Sequence, residues 1–99
     1  MTAVRFHPDA RAELLDGAVY YEEQADGLGG QFIDEVQRVV DMLAESPGLG
    51  PSFAGHEALR KWSLRRFPYY VIYRVSGEAL VVLAIAHERR RPRYGSGRS

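Results

Sequence analysis

The sequence predicts an α+β fold: an N-terminal short strand and a helical hairpin packed on a small, mostly antiparallel sheet, in the order β-α-α-β-β-β. Three observations carry this. Apolar residues recur at helical spacing in the first half. After residue 58 the period of alternation drops to two. Clusters of Gly, Ser and Pro at 25–30 and 46–48 divide the helical part into two pieces. A period near 3.6 marks an amphipathic helix, and a period of two marks a strand.

Val4 and Phe6 alternate around Arg5, so residues 4–6 read as a short strand. Pro8 suits a first helical turn, where its missing N–H leaves no hydrogen bond unmade. Asp9 and Glu13 stand near the positive end of that helix. From residue 9 to about 24, Leu14, Leu15, Ala18, Val19 and Tyr21 follow helical spacing. Gly17 weakens the helix by about 1 kcal/mol. Residues 25–30, Ala-Asp-Gly-Leu-Gly-Gly, break the helix and turn the chain. The second helix then places Phe32, Val36, Val39, Val40 and Leu43 on one stripe, the cleanest in the chain. Ser46-Pro47-Gly48 stops it. Two helices joined by a short loop form an antiparallel hairpin.

Residues 49–58 have two Gly, one Pro and no period, and read as a loop. Residues 59–67 alternate Trp62 and Leu64 against Lys61, Ser63 and Arg65. Pro68 separates them from the next strand, 69–75, with Val71, Tyr73 and Val75 on one side and Tyr70, Ile72 and Arg74 on the other. Ser76-Gly77 makes a hairpin turn. Residues 79–87 are apolar on both faces, as a central strand requires. The end of the chain, 88–99, is basic, with Pro92 and two glycines. The helical stripes need an apolar sheet face to cover them. Ninety-nine residues with no repeat and no linker are expected to form one domain, 1–99.

Composition narrows the function. The chain has no cysteine, which excludes disulfides, thiol catalysis and cysteine-held zinc or iron–sulfur sites. No segment reaches the roughly 18 apolar residues of a membrane span. Residues 1–8 lack a signal-peptide core. A cytoplasmic protein with no membrane partner is expected.

The formal charge of +0 hides a division. Residues 1–50 carry three basic side chains against ten acidic ones, a net of −7. Residues 51–99 carry ten basic against three acidic, a net of +7. Nine of those ten basic residues are Arg, whose planar fork suits phosphates and carboxylates. Lys61 and Arg65 share strand parity, so both are expected on the sheet face opposite the helices. Tyr69, Tyr70 and Tyr94 interleave with the arginines. Such a face suits RNA or an acidic protein segment, or is simply a solvated surface with a basic tail.

Other chemistry is thin. His87, at the end of the last strand beside Arg89, is the one candidate base. His7 and His56 fall in a cap and a loop, and no His pair has metal-ligand spacing. Ser63 has no base partner in the pattern. No P-loop is present, and 27–30 does not follow a strand. The carboxylates form no acid–base pair. No cofactor and no metal are expected.

The segment Leu64-Arg65-Arg66-Phe67-Pro68-Tyr69-Tyr70-Val71-Ile72-Tyr73, followed by Val82-Leu83-Ala84-Ile85-Ala86-His87-Glu88-Arg89-Arg90-Arg91-Pro92, resembles the RelE/ParE family of type II toxins. Phe6-His7-Pro8 with Ala10 and Glu13, Tyr20-Tyr21, Leu28-Gly29 with Phe32, and Ser46-Pro47 match its landmarks in order. The resemblance covers nearly the whole chain and implies the fold that the periods give. It also implies a toxin held inactive by a cognate antitoxin in a hetero-oligomer. The antitoxin would be an acidic chain that folds on binding.

Two activities occur in the family. RelE-like members cut mRNA in the ribosomal A site with basic residues and a tyrosine; ParE-like members block DNA gyrase and lack that set. Carried onto this chain, the RelE-like catalytic positions are met by Lys61, Arg65, Arg89 and Tyr94, with His87 a further candidate. Ser63 stands where another basic residue is usual, and Tyr70 stands near the place of the catalytic arginine. The pattern is closer to the ParE side, for which no catalytic residue is assigned. Its target-binding residues would be Arg65, Arg66, Arg89, Arg90, Arg91 and Tyr94. A gyrase inhibitor is the leading expectation; a ribosome-dependent mRNA endonuclease, whose partners would be the ribosome and mRNA, is the alternative.

Overall fold

The computed structural model describes residues 3–53 and 56–89. The chain runs β1 (Ala3–Phe6), α1 (Pro8–Gln24), α2 (Leu28–Glu45), a 3-10 turn (Pro47–Leu49), β2 (Ser52–Phe53), β3 (His56–Ser63), β4 (Tyr69–Ser76) and β5 (Ala79–His87). The five strands form one sheet in the order β1-β5-β4-β3-β2. β1 pairs parallel to β5; all other pairs are antiparallel. The α+β fold with a mostly antiparallel sheet is as expected. No described helix is long and apolar enough to cross a membrane.

Both helices pack on one sheet face. α2 buries Phe32, Val36, Val39, Val40 and Leu43, the stripe read from sequence. They meet Val71, Tyr73, Leu80, Val82 and Ile85 of β4 and β5. α1 differs from expectation. It buries Ala10, Gly17 and Ala18 and half-buries Leu14 and Tyr21, but Leu15 is 55% and Val19 60% exposed. Its buried side is built from small residues because α1 lies close to α2. A Cβ on Gly17 would sit 2.7 Å from Cε2 of Phe32, so the helix-weakening glycine makes room for that ring. His7 caps α1, its Nδ1 accepting the Asp9 N–H at 3.1 Å.

Four sequence boundaries move. The 49–58 stretch is not all loop: it holds β2 and the start of β3, so His56 is a strand residue. β3 ends at Ser63 rather than at 67, because the chain reverses through 64–68. There Leu64 N–H bonds Tyr69 O, Tyr69 N–H bonds Phe67 O, and Arg66 takes a left-handed φ of 70°. α2 starts at Leu28, inside the glycine cluster, with Gly27 as its N-cap at φ 86°. The β4–β5 turn is also one residue later than expected, since Ser76 pairs with Ala79 around Gly77-Glu78.

β5 is buried along nearly its whole length, as a central strand should be. A bulge shifts its register with β4 between Ile72 and Tyr73. The face away from the helices has its own buried cluster of Leu59, Tyr70, Ile72, Val81, Leu83, Ala84 and Ala86. Tyr73, fully buried, joins layers: its hydroxyl donates to Pro47 O at 2.7 Å and accepts the Gly50 N–H at 3.0 Å.

Candidate functional site

The basic residues do not share one sheet face. Lys61 projects from the face away from the helices, its Nζ 5.3 Å from the Tyr70 ring centroid. Arg65 lies beyond the end of β3, in the reversal, and does not follow the strand parity expected of it. Its N–H is held at 2.6 Å by Oε2 of Glu35 on α2. The same carboxylate makes a two-pronged bond to Arg38, Nε to Oε1 at 2.7 Å and Nη2 to Oε2 at 2.9 Å. The Arg38 bond, aided by the Arg65 N–H, holds the Glu35 carboxyl below the usual carboxylate range against the cost of burial. Arg66 follows, its Nη2 donating to Gln31 Oε1 at 2.9 Å and its guanidinium 5.8 Å from the Phe67 ring.

Register nevertheless gathers three arginines. Ser63 of β3 pairs with Tyr70 of β4, and Tyr69 of β4 pairs with His87 of β5. Arg65 and Arg66 leave β3, and Arg89 leaves β5, at one end of the sheet with β4 between them. Two strand spacings separate the pair from Arg89, about 10 Å. Arg90, Arg91 and Tyr94 lie outside the described residues.

His87 stacks edge-on against Tyr69 at 5.0 Å between ring centroids. Its Nδ1 accepts the Arg89 N–H at 3.1 Å, which engages that lone pair. Tyr70 is buried, and burial raises its hydroxyl pKa, with Glu88 adding to the effect. Ser63 is exposed on β3, and no His neighbours it in the strand register. Among the described residues, no group of three or more His, Asp or Glu could hold a metal.

The sequence did not reveal a groove of about 650 Å³ between α1 and the ends of β4 and β5. Glu13, Asp16, Tyr20 and Tyr21 form the helix wall, and Tyr69, Ile85, His87 and Arg89 the other. β1 pairs with β5 only as far as Val82, and Glu13 Oε1 accepts the Ile85 N–H beyond it at 3.0 Å. Tyr20, half exposed, stacks edge-on against Tyr21 at 5.2 Å. Tyr21 continues the ring contacts to Phe67 at 4.8 Å and Phe32 at 5.3 Å. Burial first, then Tyr69 and Tyr20, raises the Tyr21 pKa. The Tyr20-Tyr21 pair was visible in the sequence, but nothing in it pointed to a wall facing His87.

A helical hairpin on a mostly antiparallel sheet, with arginines at one end, is the architecture of small RelE/ParE-type toxins. Two solved structures share it. One is the chromosomal ParDE toxin–antitoxin system from P. aeruginosa, with TM-score 0.73 and 20% identity over 88% of this chain and 96% of that one. The other is the isolated E. coli RelE toxin, with TM-score 0.67 and 19% identity over 92% and 88%. Sequence comparison goes further. Residues 4–92 match the family described as the ParE toxin of the type II toxin–antitoxin system parDE. Toxin ParE2 of Mycobacterium tuberculosis is 30% identical over 93 residues, covering 90% of this chain and 84% of that protein. The chain belongs to the ParE toxin family of type II toxin–antitoxin systems.

Proposed function

We propose that this chain is a cytoplasmic toxin that inhibits DNA gyrase by docking the arginine-bearing end of its sheet, and that a cognate antitoxin neutralises it. The observation that carries the reading is the strand register that brings Arg65, Arg66 and Arg89 to one end of the sheet. Cutting RNA requires a base for the 2′-hydroxyl, an acid for the leaving oxygen and charge at the phosphate. Here Tyr70 is buried and the His87 Nδ1 lone pair is engaged. Fixed cations without a proton shuttle among the described residues suit binding better than turnover. Arg90, Arg91 and Tyr94, which lie outside the described residues, are proposed as further target-binding residues.

A supercoiling assay with purified toxin and gyrase tests this. Loss of supercoiling at stoichiometric toxin is expected, and reversal of charge at Arg65, Arg66 and Arg89 should restore it. Full supercoiling at large toxin excess rejects the gyrase reading. Mapping of mRNA 5′ ends after induced expression tests the nuclease alternative, which A-site cuts would establish.

A further inference from the structure

Among the described residues, the three most exposed large apolar side chains, Val19, Leu15 and Tyr20, all stand on α1. Tyr20 turns into the aromatic groove between α1 and the ends of β4 and β5. Leu15 and Val19 lie on the outer side of the helix, away from the core that Ala10, Gly17 and Ala18 enter. The exposed Ala12 precedes Leu15 by three positions, and Val19 follows it by four. That three-then-four spacing is the seam by which one helix packs on another. α1 meets α2 and β5 through its other side, so this seam is a second one. Across the hairpin, Gly17 lies against Phe32 and Gly29 against Ala18, a register that sets the exposed Ile33 of α2 level with Leu15. The charges are placed evenly about the seam. Arg11 stands four positions before Leu15, and Glu23 four positions after Val19.

We propose that this face of α1 is the interface of a symmetric dimer, its occupant a second copy of this chain with the two α1 helices packed antiparallel. In a two-fold interface each contact occurs twice, residue i on residue j and j on i. Setting Leu15 against Val19 of the partner subunit fixes the rest. Arg11 then meets Glu23 of the partner subunit, and Glu23 meets the partner's Arg11. One axis therefore satisfies the apolar and the charged contacts together. Ala12 faces the partner's Glu22. That carboxylate is already held by the Gly27 and Gly29 N–H groups, so the residue offers its apolar stem. In the single chain the Arg11 guanidinium lies 5.9 Å from the Phe6 ring, an exposed contact that an ion pair can share. Other occupants fit less well. A parallel pair of α1 helices would set Glu22 and Glu23 against their own counterparts and align the two helix dipoles. The acidic flank of Asp16, Glu22 and Glu23 repels anionic lipid and nucleic acid. The seam contains none of Arg65, Arg66 and Arg89, so dimerisation and target docking are separable.

Sedimentation equilibrium of the full chain from about 1 μM to about 200 μM should show a monomer–dimer equilibrium. Leu15→Glu combined with Val19→Glu changes two exposed positions, so circular dichroism should report an unchanged fold while the protein stays monomeric throughout. Arg11→Glu should weaken the dimer about tenfold, because symmetry counts each new repulsion twice. Adding Glu23→Arg to it should restore the wild-type equilibrium, since the swapped pair recreates the contact. The chain has no cysteine, so single cysteines report the register as well. Under mild oxidation, a mixture of Leu15→Cys and Val19→Cys chains should form the mixed disulfide in excess over either like pair. A protein that remains monomeric at the highest concentration overturns the proposal. So does a dimer indifferent to the two Glu substitutions, a Glu23→Arg change that deepens the Arg11→Glu defect, or like and unlike disulfides formed equally.

Discussion

Glu35 on α2 and Arg65 after β3 are thirty positions apart in sequence, yet the Arg65 N–H donates to Glu35 Oε2 at 2.6 Å. This bond fixes the reversal that displays Arg65 and Arg66. The side chain of Glu35 is 12% exposed and also pairs with Arg38. Replacing it by Gln removes charge-assisted bonds and should cost about 2 kcal/mol at neutral pH. The sign with pH follows from the lowered folded pKa. The contribution is complete above the unfolded value, about 4.3, and is lost as pH falls through the folded one. Urea unfolding from pH 7 down to about pH 3 should show the gap between wild type and Glu35→Gln closing. A gap constant with pH refutes the role given to Glu35.

Tyr73 supplies the second long-range tie. Its hydroxyl serves Pro47 O and the Gly50 N–H from inside the core. Tyr73→Phe keeps the ring and leaves the Gly50 donor without its acceptor, at about 1–3 kcal/mol. The denaturant midpoint should fall with no change in slope. Burial raises the Tyr73 pKa, with the Gly50 bond opposing, so the hydroxyl stays protonated well into alkaline solution. An ultraviolet titration should find it ionising above the ordinary tyrosine range.

The parts of the fold that announced themselves in sequence are those whose burial is unambiguous. α2 faces the sheet with one stripe, and β5 is covered on both faces, so their patterns had a single solution. α1 packs against both α2 and β5 through small residues, while Leu15 and Val19 stay exposed. Its apolar positions therefore carried no direction. Arg65 continued the alternation of β3 past the point where the chain turns, and the turn shows only in the backbone, in the Leu64–Tyr69 bond and the positive φ of Arg66. The aromatic groove joins Glu13 to Ile85 across 72 positions, a distance that no local pattern spans. The candidate site was legible as residue types, not as a place.

Gly17 tests the close approach of the helices. Alanine would improve helix propensity by about 1 kcal/mol. Its Cβ would also press on the Phe32 ring, at 2.7 Å from Cε2. That ring is held by Tyr21, Phe67 and Tyr69, so it has little room to give. Overpacking at about 1–3 kcal/mol outweighs the propensity gain, and Gly17→Ala should lower the melting temperature. A double-mutant cycle with Phe32→Leu should show the Gly17→Ala penalty shrinking once the ring is gone. A stabilised Gly17→Ala protein contradicts this packing.

Arg66 separates stability from function at one position. It is the only non-glycine residue with positive φ among the described residues, at 70°. Asn tolerates that conformation well, whereas a β-branched residue does not. The Arg66 side-chain contacts to Gln31 and Phe67 are exposed or shared with solvent, so losing them costs about 0.5 kcal/mol. Arg66→Asn should therefore hold its stability to within about 0.5 kcal/mol, while Arg66→Val loses about 1–2 kcal/mol through backbone strain. Both variants remove the guanidinium. If the arginine-bearing end of the sheet docks on gyrase, both should relieve inhibition in the supercoiling assay to the same extent despite their different stabilities. Relief that tracks stability instead would mean that Arg66 matters as a turn residue and not as a contact.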